Sequence, residues 1–218
     1  MVTVALPTSV ASMLVPQVVR ELESRYPDII PRVVDGLSLE NGRSLEAALI
    51  DFGIVPAADE LVDVHYEPLV HERLLLIEGR SASRSAPATI TVGQAARLRL
   101  VLPPCSSHHT RRLVDAVAHA SNLTLNIAYE QQSLTTIMSL VRDGLGATIT
   151  NSPAAEQFWA LGAIRARRIV RPELTRTISL AHPAKRPSSV AAQAVYDVLK
   201  RLAIEAVKKG RWQGTLLC

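Results

Sequence analysis

The sequence is poor in aromatic residues, which make up 4% of its 218 positions. Single-stranded nucleic acids are held largely by base stacking on aromatic side chains, and this chain has no such platform. Cysteine is nearly absent, with Cys105 and the terminal Cys218 as its two instances. Two thiols make no disulfide framework, and a reducing cytoplasm is the simplest setting for them. No apolar run approaches the roughly 20 residues that span a bilayer. The opening Met1-Val2-Thr3-Val4-Ala5-Leu6-Pro7 has no basic start, long apolar stretch or small-residue cleavage site, so no signal peptide is visible. Gly-x-Ser-x-Gly elbows, phosphate-binding loops and a Cys-His-Asp order are also missing.

What is present is an ordinary globular balance, 48% hydrophobic and 20% charged residues. It argues against disorder, and the length suits one large domain or two small lobes. The net charge of +4 is unevenly spread. Acids crowd the region from Glu21 to Asp63, among them Glu40, Asp51, Asp59 and Glu60. Basic residues crowd the region from Arg165 to Arg211, including Arg167, Arg168, Arg171, Arg176, Lys185, Arg186, Lys200 and Arg201. A basic half is a footprint of nucleic-acid binding. Without stacking aromatics or a helix-turn-helix pattern beside it, solvated helix faces and loops are the preferred reading.

Short apolar runs alternate with helical patterns. Val2–Leu6 reads as a strand, and Thr8 and Ser9 offer an N-cap. Val10, Leu14, Val18 and Leu22 then mark one face of a helix, kinked or loose in its first part by Pro16, and ended by Tyr26-Pro27-Asp28. Ile29–Val34 reads as a strand, Leu39–Leu49 as a helix and Asp51–Val55 as a strand covered on both faces. This β-α-β-α-β series is the signature of a parallel sheet with right-handed crossovers. Val64–Val70 and Leu74–Ile77 read as two more strands, and Gly79–Pro87 as a polar loop at a lobe boundary. The pattern then restarts with strands at Leu98–Leu102, Leu125–Tyr129 and Ala147–Thr150. Helices at Thr110–Ala120 and Leu134–Arg142 alternate with them, and Asp143-Gly144-Leu145-Gly146 makes a tight turn. Strands at Ile164–Ile169 and Thr177–Ala181 and a helix from Ser188 to Lys208 close the chain. The fold class expected is α/β, two Rossmann-like lobes joined by crossover strands. Ligands of such lobes bind at the carboxyl ends of the strands, in a cleft between them. That directs interest to Pro7–Val10, Pro103–Cys105 and Glu130–Ser133.

Several stretches stand in the order of a known family. Leu6-Pro7-Thr8-Ser9, Leu14-Val15-Pro16 and Tyr26-Pro27 match its opening, and Asp51–Val55 its "LDLAI" strand. Glu67–Ile77 matches "PL..E.L.LV", and Arg111-Arg112-Leu113-Val114-Asp115 matches "R..LD". Glu130–Thr148 matches "E..S...L.LV.AGLGI". From about Val4 to Gly214 the chain thus resembles the effector-binding domain of LysR-type transcriptional regulators, whose fold is that of the type II periplasmic binding proteins. Gly210–Gly214 resembles the ending of a subgroup that includes nitrogen-assimilation regulators. Ala48 departs from a frequent Gly, and Asn151 from a frequent Pro. The resemblance implies lobe I at 1–80 plus 172–218 and lobe II at 81–171. The N-terminal winged helix-turn-helix and linker helix of the family are absent from this sequence, which by itself is not expected to bind an operator.

The resemblance also implies effector contacts at Thr8, Ser9 and Val10 and at Gln131, Gln132 and Ser133. Gln132 aligns with a ligand-facing position. Further contacts are implied near Pro103 and just beyond Val55. Hydroxyls and free N–H groups at a helix start suit a carboxylate or another anion, while a plain N-cap is the structural alternative. Arg111 fits a structural or a ligand-facing role. Cys105, His108 and His109 lack a nearby fourth zinc ligand, so a solvated loop is preferred to a metal site, and no cofactor is expected. The partners implied are a small polar or anionic effector, a second sensing domain in a homodimer, and a tetrameric full-length regulator. DNA is met only through the absent domain, and no membrane is expected. Two alternatives are an importer's solute-binding protein and an enzyme like prephenate dehydratase. The Thr-Arg-Phe motif of the latter is matched only in part by Thr110-Arg111-Arg112.

Overall fold

A computed structural model describes residues 1–36, 44–56, 63–80, 87–105, 108–185 and 187–218. The expected helical residues 39–43, the loop residues 81–86, the segment 57–62 just beyond Val55, and Glu40, Asp59, Glu60 and Arg186 lie outside the described residues. In chain order the elements are β1 (Val2–Pro7), α1 (Thr8–Arg25), β2 (Pro31–Gly36), β3 (Phe52–Pro56), β4 (Val64–Gly79), β5 (Thr89–Thr91), α2 (Val92–Ala96), β6 (Leu100–Leu102), α3 (His109–Ala120), β7 (Ile127–Glu130), α4 (Leu134–Arg142), β8 (Ala147–Asn151), α5 (Ser152–Ala160), β9 (Ile164–Val170), β10 (Thr175–Pro183), α6 (Val190–Lys208) and β11 (Gly214–Leu216). They form two compact units, Met1–Glu72 with Arg176–Cys218, and Arg73–Thr175. Among the described residues, no helix is long and apolar enough to cross a membrane.

In the first unit β1 runs parallel to β2 on one side and β3 on the other, and β10 lies antiparallel against β3. Gly53 is the residue that lets β1 and β3 approach, since a Cβ there would stand 2.7 Å from the Ala5 carbonyl oxygen. Both sheet faces are covered. Val4, Leu6, Phe52 and Ile54 pack with α1 and α6 residues such as Leu14, Leu22, Val195 and Leu199. Ala5, Val55 and Ala181 pack with Leu45 and Ile50 on the other face. Burial of such side chains, at about 25 cal/mol per Å² of apolar surface, is the main stabilising contribution. The helix runs through Pro16 without a break, because Pro16 is exposed and water can take up the carbonyl it leaves unbonded. Of the expected second helix, the described part is one turn at 44–46, followed by Ala48 in the left-handed region at φ 52°. A glycine adopts that conformation without strain, which accounts for the family's frequent Gly at this position.

In the second unit the last part of β4 lies antiparallel to β8 and β9. β6 is parallel to β7 and β8, and β5 is parallel to β9. Leu74 and Leu76 face one core, with Ile90, Leu100 and Val114, and Leu75 and Ile77 the opposite one, with Val101, Ile137 and Val141. That two-sided burial is why Leu74–Ile77 is an unbroken apolar run.

The strands expected at Val64–Val70 and Leu74–Ile77 are a single strand of 16 residues. The charged Glu72-Arg73 pair between them does not interrupt it, because both charges are partnered: Glu72 bonds Arg176, and Arg73 lies 3.6 Å from Glu173. The two compact units meet in the sequence inside β4, at Glu72/Arg73. Two of the basic residues read as solvated are buried ion-pair members instead, Arg167 with Glu78 and Arg176 with Glu72. The short β5, α2, α5 and β11 have no counterpart in the sequence reading. Two of them carry recognisable starts. Thr91 and Gln94 form a capping box, and Asn151 caps α5 by accepting from Ala154 N, with Pro153 in the first turn.

Candidate functional site

The sequence points to two strand-to-helix junctions, one in each unit. At the β1–α1 junction the residue capping the helix is Pro7, which has no side chain able to bond the first turn. Thr8 and Ser9 are therefore the first helical residues and not caps, a correction to the N-cap reading. Thr8 is exposed and Ser9 is buried. Ser12 Oγ folds back to the Ser9 carbonyl at 2.9 Å. No acidic residue occupies the first turn, so no carboxylate of that turn offsets the partial positive charge of this 18-residue helix end. Val10 is a core residue packed with Leu6 and Leu14, so its side chain is withheld from any ligand, leaving the backbone N–H.

In the second unit, the ends of β6 and β7 converge on Arg111 of α3. Arg111 is 7% exposed. Its Nη1 donates to the Pro103 carbonyl at 2.9 Å and to Glu130 Oε1 at 2.6 Å, and its Nε donates to Asp115 Oδ1 at 2.9 Å. Burial works against the Arg111 charge. The bonds to Glu130 and Asp115 outweigh it and hold the pKa above the ordinary arginine value. Pro103 is buried, and its carbonyl accepts this bond from Arg111. Gln131, Gln132 and Ser133 are all exposed. The Gln131 N–H donates to the Leu102 carbonyl at 3.0 Å, tying the start of the turn to β6. Ser133 Oγ accepts from Thr136 N at 3.4 Å, so this hydroxyl does cap its helix.

Cys105 is exposed. A hydrogen bond with the Asp115 carboxylate, with burial second, pushes its thiol pKa up. Among the described residues, no group of three or more His, Cys, Asp or Glu side chains is placed to hold a metal ion. The structure also brings together a cluster that sequence reasoning did not single out. Glu72 is wholly buried, and its two oxygens accept from Arg176 Nε at 2.5 Å and from Trp212 Nε1 at 2.7 Å. Its sequence signal is the glutamate of the Glu67–Ile77 match, which stands between His71 and Arg73.

The family model described as LysR substrate binding domain matches residues 1–203. The HTH-type transcriptional regulator YfeR of Shigella flexneri is 27% identical over 199 residues, covering 91% of this chain. The nitrogen assimilation regulatory protein nac of Escherichia coli is 24% identical over 212 residues, or 95% of this chain. The chain spans 64% of the length of YfeR and 67% of that of nac. Among solved structures, the Synechocystis CcmR regulatory domain in complex with 2-PG superposes with a TM-score of 0.82 at 19% identity, covering 93% of this chain and 96% of its own. The effector binding domain of QuiR in complex with shikimate superposes with a TM-score of 0.77 at 17% identity, covering 94% and 97%. These likenesses carry the fold, that of the type II periplasmic binding proteins, and the match over residues 1–203 carries the family: this chain belongs to the LysR substrate-binding domain family.

Proposed function

We propose that this chain is the effector-sensing part of a LysR-type transcription regulator, and that its strand-to-helix junctions, β1–α1 in one unit and β7–α4 in the other, each offer groups suited to a small polar or anionic effector. The observation that carries the reading is the β1–α1 junction. There a long helix begins without a side-chain cap or an acidic residue, next to the exposed hydroxyl of Thr8. Helix starts of this kind bind carboxylates and phosphates through backbone N–H groups. The solved relatives named above, CcmR and QuiR, hold 2-PG and shikimate in the corresponding domains. Effector binding shifts the population of sensing-domain conformations and so sets how the regulator engages DNA. In the full-length protein the domain pairs into homodimers within a tetramer, DNA is met through a separate segment, and the setting is the cytoplasm. The relatives are regulators by name, and the role proposed for this chain is binding without turnover.

A thermal-shift screen against small carboxylates, hydroxy acids, amino acids and inorganic anions tests this. A compound at a hundred times its Kd adds about 2.7 kcal/mol to stability. A midpoint rise with the compound recovered intact supports a sensor, whereas a compound that is consumed favours an enzyme.

A further inference from the structure

Arg111 stands beside the β7–α4 junction, but its charge faces two carboxylates. The trio of Arg111, Asp115 and Glu130 carries a net charge of −1. Of the Arg111–Glu130 pair, Glu130 presents the more open side chain, 51% exposed against 9% for Arg111. Glu130 is unlike a loose surface glutamate. Its Oε1 is fixed by a short bond from a buried donor, and that donor is fixed in turn by the Pro103 carbonyl and Asp115. The Glu130 side chain is nevertheless 51% exposed, and Arg111 bonds its Oε1. The exposed Gln131 and Gln132 follow it directly. A carboxylate that is held in place from behind and open in front is a preorganised hydrogen-bond acceptor.

We propose that Arg111 is a positioning residue that sets the Glu130 carboxylate, and that this carboxylate receives a hydroxyl or ammonium group of the effector. The inference rests on the effector-sensing reading and deepens it. The effector group suited to Glu130 is then a hydrogen-bond donor, the hydroxyl of a hydroxy acid or the ammonium of an amino acid.

The test is a titration of the ¹⁵N-labelled full chain with two small probes, ethanolamine, which carries both donors, and acetate, which carries neither. Ethanolamine at millimolar concentration is expected to shift the amide resonances of residues 130–133 in a saturable way, and acetate is expected to leave them in place. Glu130→Gln, at an exposed position where folding is preserved, is expected to weaken ethanolamine by at least about tenfold, the loss of one charge-assisted bond. Arg111→Met is expected to broaden or displace the 130–133 amides even without probe, and Arg111→Lys to restore part of the ethanolamine response. Asp115→Asn, which leaves Glu130 and its bond to Arg111 in place, is expected to keep that response. Acetate shifting these amides more than ethanolamine, neither probe shifting them, or an ethanolamine response that survives Glu130→Gln, would each overturn the proposal. Those outcomes leave the sensing reading standing if the thermal-shift screen has found a ligand. A screen with no ligand at all strikes the sensing reading itself.

Discussion

Replacing Glu72 by Gln tests whether the buried cluster at the unit boundary ties the structure together there. Glu72 is the last residue of the first unit on the outward strand, and Arg176 is its first residue on the return. Trp212, fully buried, brings in the C-terminal segment. Three stretches distant in sequence thus meet on one carboxylate. Gln keeps the shape and an acceptor for Trp212 Nε1 but removes the charge facing Arg176, whose side chain is 8% exposed. Breaking a buried pair by neutralising one partner costs about 3–5 kcal/mol, and the retained acceptor puts this case near 3. For a chain of this size each kcal/mol lowers the midpoint by about 2–4 °C, so a fall of about 6–12 °C is expected. Thermal unfolding followed by Trp212 emission, in a Trp159→Phe background, reads the change locally. The double variant Glu72→Leu with Arg176→Met, which removes both charges, is expected to be more stable than Glu72→Gln. A midpoint within 1–2 °C of the parent for Glu72→Gln, roughly half a kcal/mol, would refute the claim that this pair ties the region together.

Other changes follow from single positions. Ser179 is fully buried beside Val55 and Ala181, and among the described residues its hydroxyl has no hydrogen-bond partner. Ser179→Ala is therefore expected to be neutral or to stabilise by about 1 kcal/mol in denaturant unfolding, against the usual sign of core substitutions. Gly53→Ala drives a Cβ to within 2.7 Å of the Ala5 carbonyl oxygen on the neighbouring strand. It is expected to destabilise by about 1–3 kcal/mol, measured the same way. The Arg201 hydrogen bond, with that of Arg25, holds the Glu21 carboxyl below the ordinary glutamate value of 4.5 despite its burial. A depressed folded-state pKa gives stability that is fully present above 4.5 and lost as pH falls through the folded value. Glu21→Gln is expected to flatten the acid limb of the stability profile and leave its slope above pH 5 unchanged.

Much of this fold is legible in the residues. The wholly apolar Phe52–Val55 and Leu74–Ile77 mark strands buried on both faces, and the four-residue spacing in α1 marks one packed face. Leu134–Arg142 is a helix over the same residues that its pattern predicts. Glu72-Arg73 misled because sequence periodicity treats a charge as a break. In the folded chain, partners from a hundred or more residues away neutralise both charges and the strand runs on. Short elements such as α2 and β11 hold too few residues for periodicity to register, and only the cap chemistry at Thr91 and Gln94 betrays the first of them. At the candidate site, the positions of Thr8 and of Gln131–Ser133 are legible as junctions between a strand and a helix. Val10 is not, because its place in the core depends on which face of α1 turns inward. The engagement of Arg111 by Glu130 is equally hidden, since it joins α3 to the end of a strand that follows it, whereas its i,i+4 pair with Asp115 lies within α3.

The central claim is that this chain binds an effector through residues at the start of α1. The most direct test is isothermal titration of the chain and its Thr8→Val variant with the compound giving the largest midpoint rise in the thermal-shift screen. Thr8 is exposed and caps nothing, so the variant is expected to unfold within about 0.5 kcal/mol of the parent. Saturable binding by the parent, at least about tenfold weaker in the variant, with the compound unchanged afterwards, is the result the account predicts. Equal affinity in the two proteins, or consumption of the compound, would contradict it.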